Sequence, residues 1–470
     1  MTDIKLNEEQ RDFVAAFRAW LQKPNSQYFL LTGWAGTGKT YAAMEALKGY
    51  PINKVFAAPT HKAKQVLIDR ALKASVTGPG STLASLLRLR VGYNNKGEER
   101  LESMGMPTSS GGKRKLLLNQ RTELLVVDEA SMVSKEMWGE LTEAVTRYPN
   151  LKVLLMGDPY QLPPPKESGS EAFNLMLPPR FKSTLNKVER NNGAIGDNSR
   201  EIVNRIVSRG DRFSDWNGGA NVTLYDSPSD WESLALETFR QTKEAPSHAR
   251  MLAWTNKEVT RLNDFIRGGL SKGSTTLPMY LPGELLTAKG RVVDPTVEQE
   301  SSNNYGVILS STQICKVKSV TPKMLTFEPR VAREIGPITV QGLELALMDD
   351  YGFIGFAHAA LRHEYSKLTP YTSKLKAAIA TKVGRKGVKN HAWGEYYGCL
   401  GKFGVFKAGK EFSPNLRPAF AQTIHQSQGS TYETVFLNAR DVGGCKAKTL
   451  HNKLLYVGAS RASTALHVLV

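Results

Sequence analysis

Gly33-Trp34-Ala35-Gly36-Thr37-Gly38-Lys39-Thr40 decides how this chain is read. The stretch satisfies G-x-x-x-x-G-K-[ST], follows the apolar run Tyr28-Phe29-Leu30-Leu31-Thr32, and leads into a helical stretch through Leu47. Strand, glycine-rich loop and helix in that order make a cradle for phosphate. Glycines let successive backbone N–H groups converge on phosphate oxygens, and the helix N-terminus adds partial positive charge. Gly33, Gly36, Thr37 and Gly38 are expected to wrap the phosphates of ATP, and Lys39 to reach the β- and γ-phosphates. The Thr40 hydroxyl is expected to ligate Mg²⁺.

Moving outward, short apolar runs recur at residues 54–58, 124–128 and 152–156, separated by helical segments. That alternation predicts βαβ units and a parallel sheet. Upstream, Leu6 precedes the cap candidate Asn7, Gln10 follows three residues later, and Phe13, Phe17, Trp20 and Leu21 share one helical face. The run Leu124-Leu125-Val126-Val127-Asp128-Glu129 delivers Asp128 at the carboxyl end of a buried strand, where it can hold Mg²⁺. Glu129 is then placed to orient and deprotonate the attacking water. An Asp-Glu pair after an apolar run is usually structural; behind a phosphate loop in the same sheet it reads as catalytic.

Residues 88–93, the turn Asn94-Asn95-Lys96-Gly97 and residues 98–102 read as a hairpin interrupting the alternation. A Gly-, Asp- and Asn-rich stretch at 210–221 reads as a domain junction. A second αβ pattern starts at Met251-Leu252-Ala253-Trp254 and resumes near Ala419. Between about 275 and 417 the chain is irregular, with short β-like runs, and reads as an inserted, partly β domain.

Length and charge set the outer bounds. The 470 residues exceed one ordinary domain. Lys plus Arg number 62 against 44 Asp plus Glu, a formal net charge of +18 that suits a polyanionic partner. The excess is uneven: Arg362, Lys367, Lys374, Lys376, Lys382, Arg385, Lys386 and Lys389 face one acid, Glu364, and Lys113-Arg114-Lys115 lies in a second cluster between Arg88 and Arg121. No window is long and apolar enough to cross a membrane, and the start of the sequence lacks a secretion-signal layout, so a cytoplasmic location is expected. The three cysteines, Cys315, Cys399 and Cys445, show no zinc spacing and read as reduced thiols.

Further strings carry a family resemblance. They are Ala58-Pro59-Thr60-His61-Lys62-Ala63, Gly157-Asp158-Pro159-Tyr160-Gln161-Leu162-Pro163-Pro164, Thr423-Ile424-His425-Gln426-Ser427-Gln428-Gly429 and Tyr456-Val457-Gly458-Ala459-Ser460-Arg461-Ala462. In order and spacing, with the two nucleotide strings, these resemble the motif set of superfamily 1 helicases of the 5′-to-3′ group, the Dda-like and RecD-like helicases. The resemblance implies two RecA-like P-loop NTPase motor domains with parallel sheets, at 1–87 with 121–210 and at 211–275 with 418–470. It also implies a pin hairpin at 88–120 and a β-barrel-like accessory domain with a basic arm at 276–417.

Roles carry over by position. Gln10 matches an adenine-contacting glutamine, with a helix-capping box as the plain alternative; Gln161 matches a γ-phosphate sensor. Arg190 and Arg461 match two arginines that face the phosphates across the cleft, where guanidinium forks stabilise transition-state charge. Thr60, His61, Thr82, Ser85, Thr423, His425 and Gln428 match segments that contact single-stranded DNA, and Tyr93 lies near the tip of the hairpin, where it can stack on a base. For each threonine the plain alternative is a helix cap. Two positions depart from the pattern: Ala84 stands where the family often has His, and Gln426 where it has Lys. The expected partners are single-stranded and forked or tailed duplex DNA, with a single-strand-binding or replisome protein beside them; a monomer is expected, and the compact length suits a phage source. An ATP-gated DNA clamp and a RecD-like subunit of a nuclease complex remain as other readings.

Overall fold

The structure is a computed structural model that describes residues 6–104, 118–165, 167–189, 193–241, 248–271, 278–295, 307–311, 313–349, 352–383, 392–408 and 411–470. Two compact units emerge: one holds residues 1–90, 102–262 and 421–470, the other Val91–Leu101 and Asn263–Phe420.

The first unit is built on two parallel sheets. Helix α1 (Glu8–Leu21) enters strand β1 (Tyr28–Gly33), helix α2 (Lys39–Leu47), β2 (Lys54–Ala58), helix α3 (His61–Lys73) and β3 (Gly80–Thr82). The hairpin strands β4 (Leu89–Tyr93) and β5 (Glu99–Ser103) follow, then β6 (Leu124–Val127), β7 (Lys152–Gly157) and β8 (Lys182–Leu185). The six-stranded sheet runs β3-β2-β6-β7-β1-β8, with its pairs parallel. The four inner strands are buried on both faces and so are apolar almost throughout rather than alternating, while the edge strands β3 and β8 are polar. Phe29, Leu31, Leu124, Val126, Leu154 and Met156 turn toward a core shared with Phe13, Phe17 and Trp20 of α1. Their neighbours Leu30, Leu125, Val127, Val153 and Leu155 turn the other way, onto Leu141, Ala144 and Val145.

The second sheet runs Ala421–Thr423, Ala249–Ala253, Tyr432–Asn438, Ala462–Leu469, Val222–Tyr225, again parallel. The boundary expected at 210 shifts. Residues 194–207 form a helix (Ala194–Val207) whose Ile195, Ile202, Val203 and Ile206 join Val222, Leu252 and Leu466 of the second sheet in one core. Composition marks the loop at 210–221, but the apolar face of the helix before it decides which core it joins.

In the second unit the strands Gly352–Ala360, Ile338–Asp349, Ile314–Phe327, Leu285–Ala288 and Leu416–Pro418 form an antiparallel sheet in that order. The basic segment is in part the helix Tyr365–Lys382, where Lys367 pairs with Glu364, and Lys382 with Glu334. Arg385, Lys386 and Lys389, like Lys113-Arg114-Lys115, lie outside the described residues. Trp393 and Tyr396 are buried with Leu368, Leu375 and Phe403. The hairpin tip belongs to this unit: Tyr93 stacks on Tyr397 with ring centroids 4.7 Å apart and planes at 9°, and Tyr397 Oη donates to the Gly97 carbonyl at 2.7 Å. Gly97 is left-handed (φ +75), and a Cβ there would lie 2.8 Å from the Trp393 ring, so only glycine brings the turn this close.

Candidate active site

The phosphate loop connects the C-terminal end of β1 to the start of α2, where backbone amides at the sheet's carboxyl edge point outward. Gly36 and Gly38 take left-handed φ values of 85° and 77°, which turn the chain so that its N–H groups converge. A Cβ on Gly38 would meet Gln10 Nε2 at 2.6 Å. Gln10 sits that close because it does two jobs. Its backbone and side chain close a capping box with Asn7, and its Nε2 donates to the Thr37 carbonyl at 3.1 Å. The cap and the contact with the phosphate loop therefore coexist. Thr37 Oγ1 donates to the Trp34 carbonyl at 2.9 Å, bracing the loop from within.

Lys39 Nζ folds back onto the carbonyls of Gly33 and Trp34, at 2.7 and 2.8 Å. Burial lowers its pKa, opposed by Asp158, Glu129 and Asp128, so the ammonium lies in a mainly acidic pocket. Thr40 Oγ1 donates to Asp128 Oδ2 at 3.0 Å, and the Glu129 amide donates to Asp128 Oδ1 at 2.8 Å. A hydroxyl beside a carboxylate is the hard-oxygen donor set that Mg²⁺ takes, so these residues fit the ion that the sequence implies. Glu129 is a non-glycine residue at φ 54, a strained backbone of the kind that collects at functional sites. Burial raises its carboxyl pKa, Asp128 adds to the rise, and Arg461 and Lys39 oppose it.

The wall opposite comes from the second sheet's side. Arg461 is 4% exposed; its Nε, Nη1 and Nη2 donate to the Val457 carbonyl, the Ser430 carbonyl and Ser460 Oγ at 3.1, 3.3 and 3.0 Å. Tyr456 and Asp158, quoted within the motif strings but given no role by sequence, also belong here. Tyr456 Oη donates to Asp158 Oδ2 at 2.5 Å and accepts from the Ala35 amide at 2.8 Å. Asp158 follows a buried apolar strand just as Asp128 does, and that shared position is the signal that marks it. Gln161 is buried three residues beyond Asp158. Its backbone N–H donates to the Asp158 carbonyl at 3.2 Å, and its Oε1 has no hydrogen-bond partner among the described residues. Arg190 lies outside the described residues.

The segments matched to DNA contacts share one local device. Thr60, Thr82 and Thr423 each stand at or just past the carboxyl end of a strand and accept the amide three residues on, from Ala63, Ser85 and Gln426 at 3.2, 3.3 and 3.3 Å. Thr60 and Thr82 are thereby the N-caps of the helices that follow, whereas Thr423 stands one residue before the cap position of its short 3-10 turn, which Ile424 occupies. The parallel register pairs Ala58 with Thr82, which sets the first two segments side by side, and Gly429 of the third segment rests on Ala63, 3.3 Å from its ideal Cβ position. His61, Ser85 and His425 are exposed, whereas Gln428 is buried and donates to the Leu162 carbonyl at 3.1 Å. Behind this edge, the buried Tyr432 hydroxyl receives Lys62 Nζ at 3.2 Å and Gln422 Nε2 at 2.7 Å, with the Arg250 guanidinium 5.1 Å from its ring. Burial pushes this phenol up, but Arg250 and Lys62 pull harder and hold it at about 7. Tyr93 belongs to the second unit, with one ring face taken by Tyr397.

Two family matches fall on the two sheets. Residues 5–214 match an AAA domain, and residues 418–469 match the UvrD-like helicase C-terminal domain. The first contains Lys39, Asp128 and Glu129 and the second Arg461, so both walls of the pocket fall within the matches, which support an ATP-hydrolysing DNA helicase similar to those of superfamily 1. Within that class it is similar to the ATP-dependent DNA helicase dda of Enterobacteria phage T4, 23% identical over 481 residues and covering 98% of each chain. An uncharacterised protein of Acanthamoeba polyphaga mimivirus is 23% identical over 501 residues, covering 96% of this chain and 97% of that one. Among solved structures, Bacteroides Pif1 bound to single-stranded DNA aligns with a TM-score of 0.49 at 16% identity, over 99% of this chain and 92% of that one. Pif1 helicase from Candida albicans aligns with a TM-score of 0.44 at 16% identity, over 99% and 95%.

Proposed function

We propose that the chain moves along single-stranded DNA in the 5′-to-3′ direction, driven by ATP hydrolysis, and separates duplex strands ahead of it. The observation that carries this reading is the two-sided pocket: Lys39, Thr40, Asp128 and Glu129 on the first sheet's side, Tyr456 and Arg461 on the second's. A pocket whose walls belong to two cores changes shape when its contents change, which is what stepping requires.

The residues divide the work. The loop amides and Lys39 hold the phosphates, and Gln10 holds the loop against α1 while it faces the base. Thr40 and Asp128 would hold Mg²⁺, which supplies charge neutralisation at the phosphates when bound. Glu129 takes a proton from the attacking water, and its raised pKa makes it a better base than an ordinary carboxylate once ionised. Arg461, freed from its carbonyl partners, meets the charge that develops on the γ-phosphoryl oxygens, with Arg190 as its counterpart. Gln161, with an unused acceptor, senses the γ-phosphate.

On the DNA side, the starts of α3 and of the segments after Thr82 and Thr423 offer backbone N–H groups to phosphates without reading bases, as a translocating motor needs. The hairpin tip, braced by Tyr397 and Trp393, serves as the strand-separating pin. The polarity and the pin role rest on the family resemblance. A strand-displacement assay on 5′-tailed and 3′-tailed duplexes, with and without ATP, tests the reading. Release from the 5′-tailed duplex alone supports it; hydrolysis with no release from either would leave an ATP-gated clamp instead.

A further inference from the structure

Tyr456 touches both the phosphate loop and the Asp158 loop through a single atom. Its hydroxyl oxygen accepts the Ala35 N–H at 2.8 Å while its proton goes to Asp158 Oδ2 at 2.5 Å. Tyr456 is 1% exposed and Asp158 is fully buried, so water does not compete for either bond. Burial and the neighbouring Asp158 carboxylate hold the phenol well above its ordinary pKa, which keeps the proton on oxygen and fixes the donor direction.

From Asp158 the contacts continue. Asp158 Oδ1 accepts the Tyr160 amide at 3.0 Å, and the Asp158 carbonyl accepts the Gln161 amide at 3.2 Å. Lys453, one turn before Tyr456, donates to the Pro159 carbonyl at 3.2 Å. Gln428 closes the path from the DNA-facing segment by donating to the Leu162 carbonyl at 3.1 Å. The loop at 158–162 is thus tied at one end to the phosphate loop and at the other to the 423–429 segment.

We propose that Tyr456 is a positioning residue that couples the filling of the phosphate loop to the 158–162 loop and, through Gln428, to the nucleic-acid-facing segment. The Ala35 amide is the third of the eight loop residues and has one proton to give. A phosphate oxygen entering the cradle competes with Tyr456 Oη for it. When phosphate takes that proton, Tyr456 keeps only Asp158, and the helix Lys448–Ala459 that carries it loses its direct hold on the loop. Arg461 lies just past the end of that helix, so release of the hydroxyl and redirection of the guanidinium belong to one movement. This inference rests on the helicase reading above and adds to it the residue that carries the signal.

The test is Tyr456→Phe, which removes one oxygen and leaves the ring. Turnover and KM for ATP are measured with and without single-stranded DNA, beside the unmodified chain. The ratio of DNA-stimulated to unstimulated turnover should fall on the order of tenfold, the size of one hydrogen bond to a charged partner, and KM for ATP should fall as the Ala35 amide is released. Asp158→Ala should lower the same ratio, and the double variant should be no worse than the more affected single one, because both act on one path. If Tyr456→Phe loses its cooperative thermal transition, the Asp158→Ala ratio decides. An unchanged ratio in a folded variant, or additive losses in the double variant, overturns the coupling role. Failure of the unmodified chain to show any DNA stimulation would instead overturn the helicase reading itself.

Discussion

In the nucleotide pocket, residues far apart in sequence meet through polar atoms: Tyr456 with Asp158 and Ala35, and Thr40 with Asp128. At the hairpin tip, residues also far apart meet mainly through ring faces, Tyr93 stacked on Tyr397 and the Gly97 turn set against the Trp393 ring, with one hydrogen bond from Tyr397 to the Gly97 carbonyl beside them. The polar contacts are directional and lie out of water, so losing one partner strands another. The ring contacts are broad and tolerate small shifts, so their loss is graded. The pocket should therefore fail in steps and the hairpin by degrees.

The hardest blow to that comparison comes from Lys39→Ala. Phosphate-release assays should find hydrolysis at background, while fluorescence anisotropy should find most of the single-strand affinity retained. Hydrolysis that survives the change would remove the pocket from the comparison altogether. Next is Glu129→Gln, expected to slow turnover by roughly 10²- to 10⁴-fold, the range for a lost general base. Because the folded-state pKa of Glu129 is raised, its contribution to stability is complete in acid and is lost as pH rises through that pKa. Glutamine carries no such loss, so the variant's melting temperature should exceed the parent's by a margin that grows with pH. A margin that shrinks with pH would mean the carboxylate is not destabilised where it sits.

A smaller effect is expected from Tyr397→Ala. Losing the stack with Tyr93 should cost about 0.5–1.5 kcal/mol beyond lost area. Unwinding rates should drop while DNA-stimulated hydrolysis stays close to the parent value; equal losses in both would show that hairpin and pocket are not separate parts. The smallest is spectroscopic. One tyrosinate should appear in ultraviolet difference spectra as pH passes about 7 and vanish in Tyr432→Phe, since Arg250 and Lys62 favour the ionised phenol. No change in that titration would place the two cations too far from the oxygen to matter.

The comparison also explains what can be read from sequence. Phosphate chemistry demands particular residue types at fixed local spacing, so Gly36, Gly38, Lys39 and Thr40 stand out in one window, and Asp128 stands out at the end of an apolar run. The parallel sheet follows from the alternation around them. Long-range pairings leave no such mark. Nothing in the window around Tyr456 points to Ala35, 421 positions away, and nothing around Tyr93 points to Tyr397. The helix Ala194–Val207 has a plain apolar face, yet which sheet it covers depends on where the chain travels next. Thr60, Thr82 and Thr423 show a further limit: a hydroxyl three residues before an amide looks the same whether or not that turn also holds a phosphate.

The strand order of the second sheet has a consequence for how the protein is made. The first sheet has all its strands by Leu185, but Ala462–Leu469 lies inside the second sheet, between Tyr432–Asn438 and Val222–Tyr225. At roughly 5–20 residues per second, tens of seconds separate synthesis of Leu185 from that of Arg461. During that interval a nascent chain can present a folded phosphate loop whose arginine wall has not yet been made. The newborn motor can meet ATP well before it can spend it, and its helices waiting for the second sheet are the surfaces that a chaperone would find first.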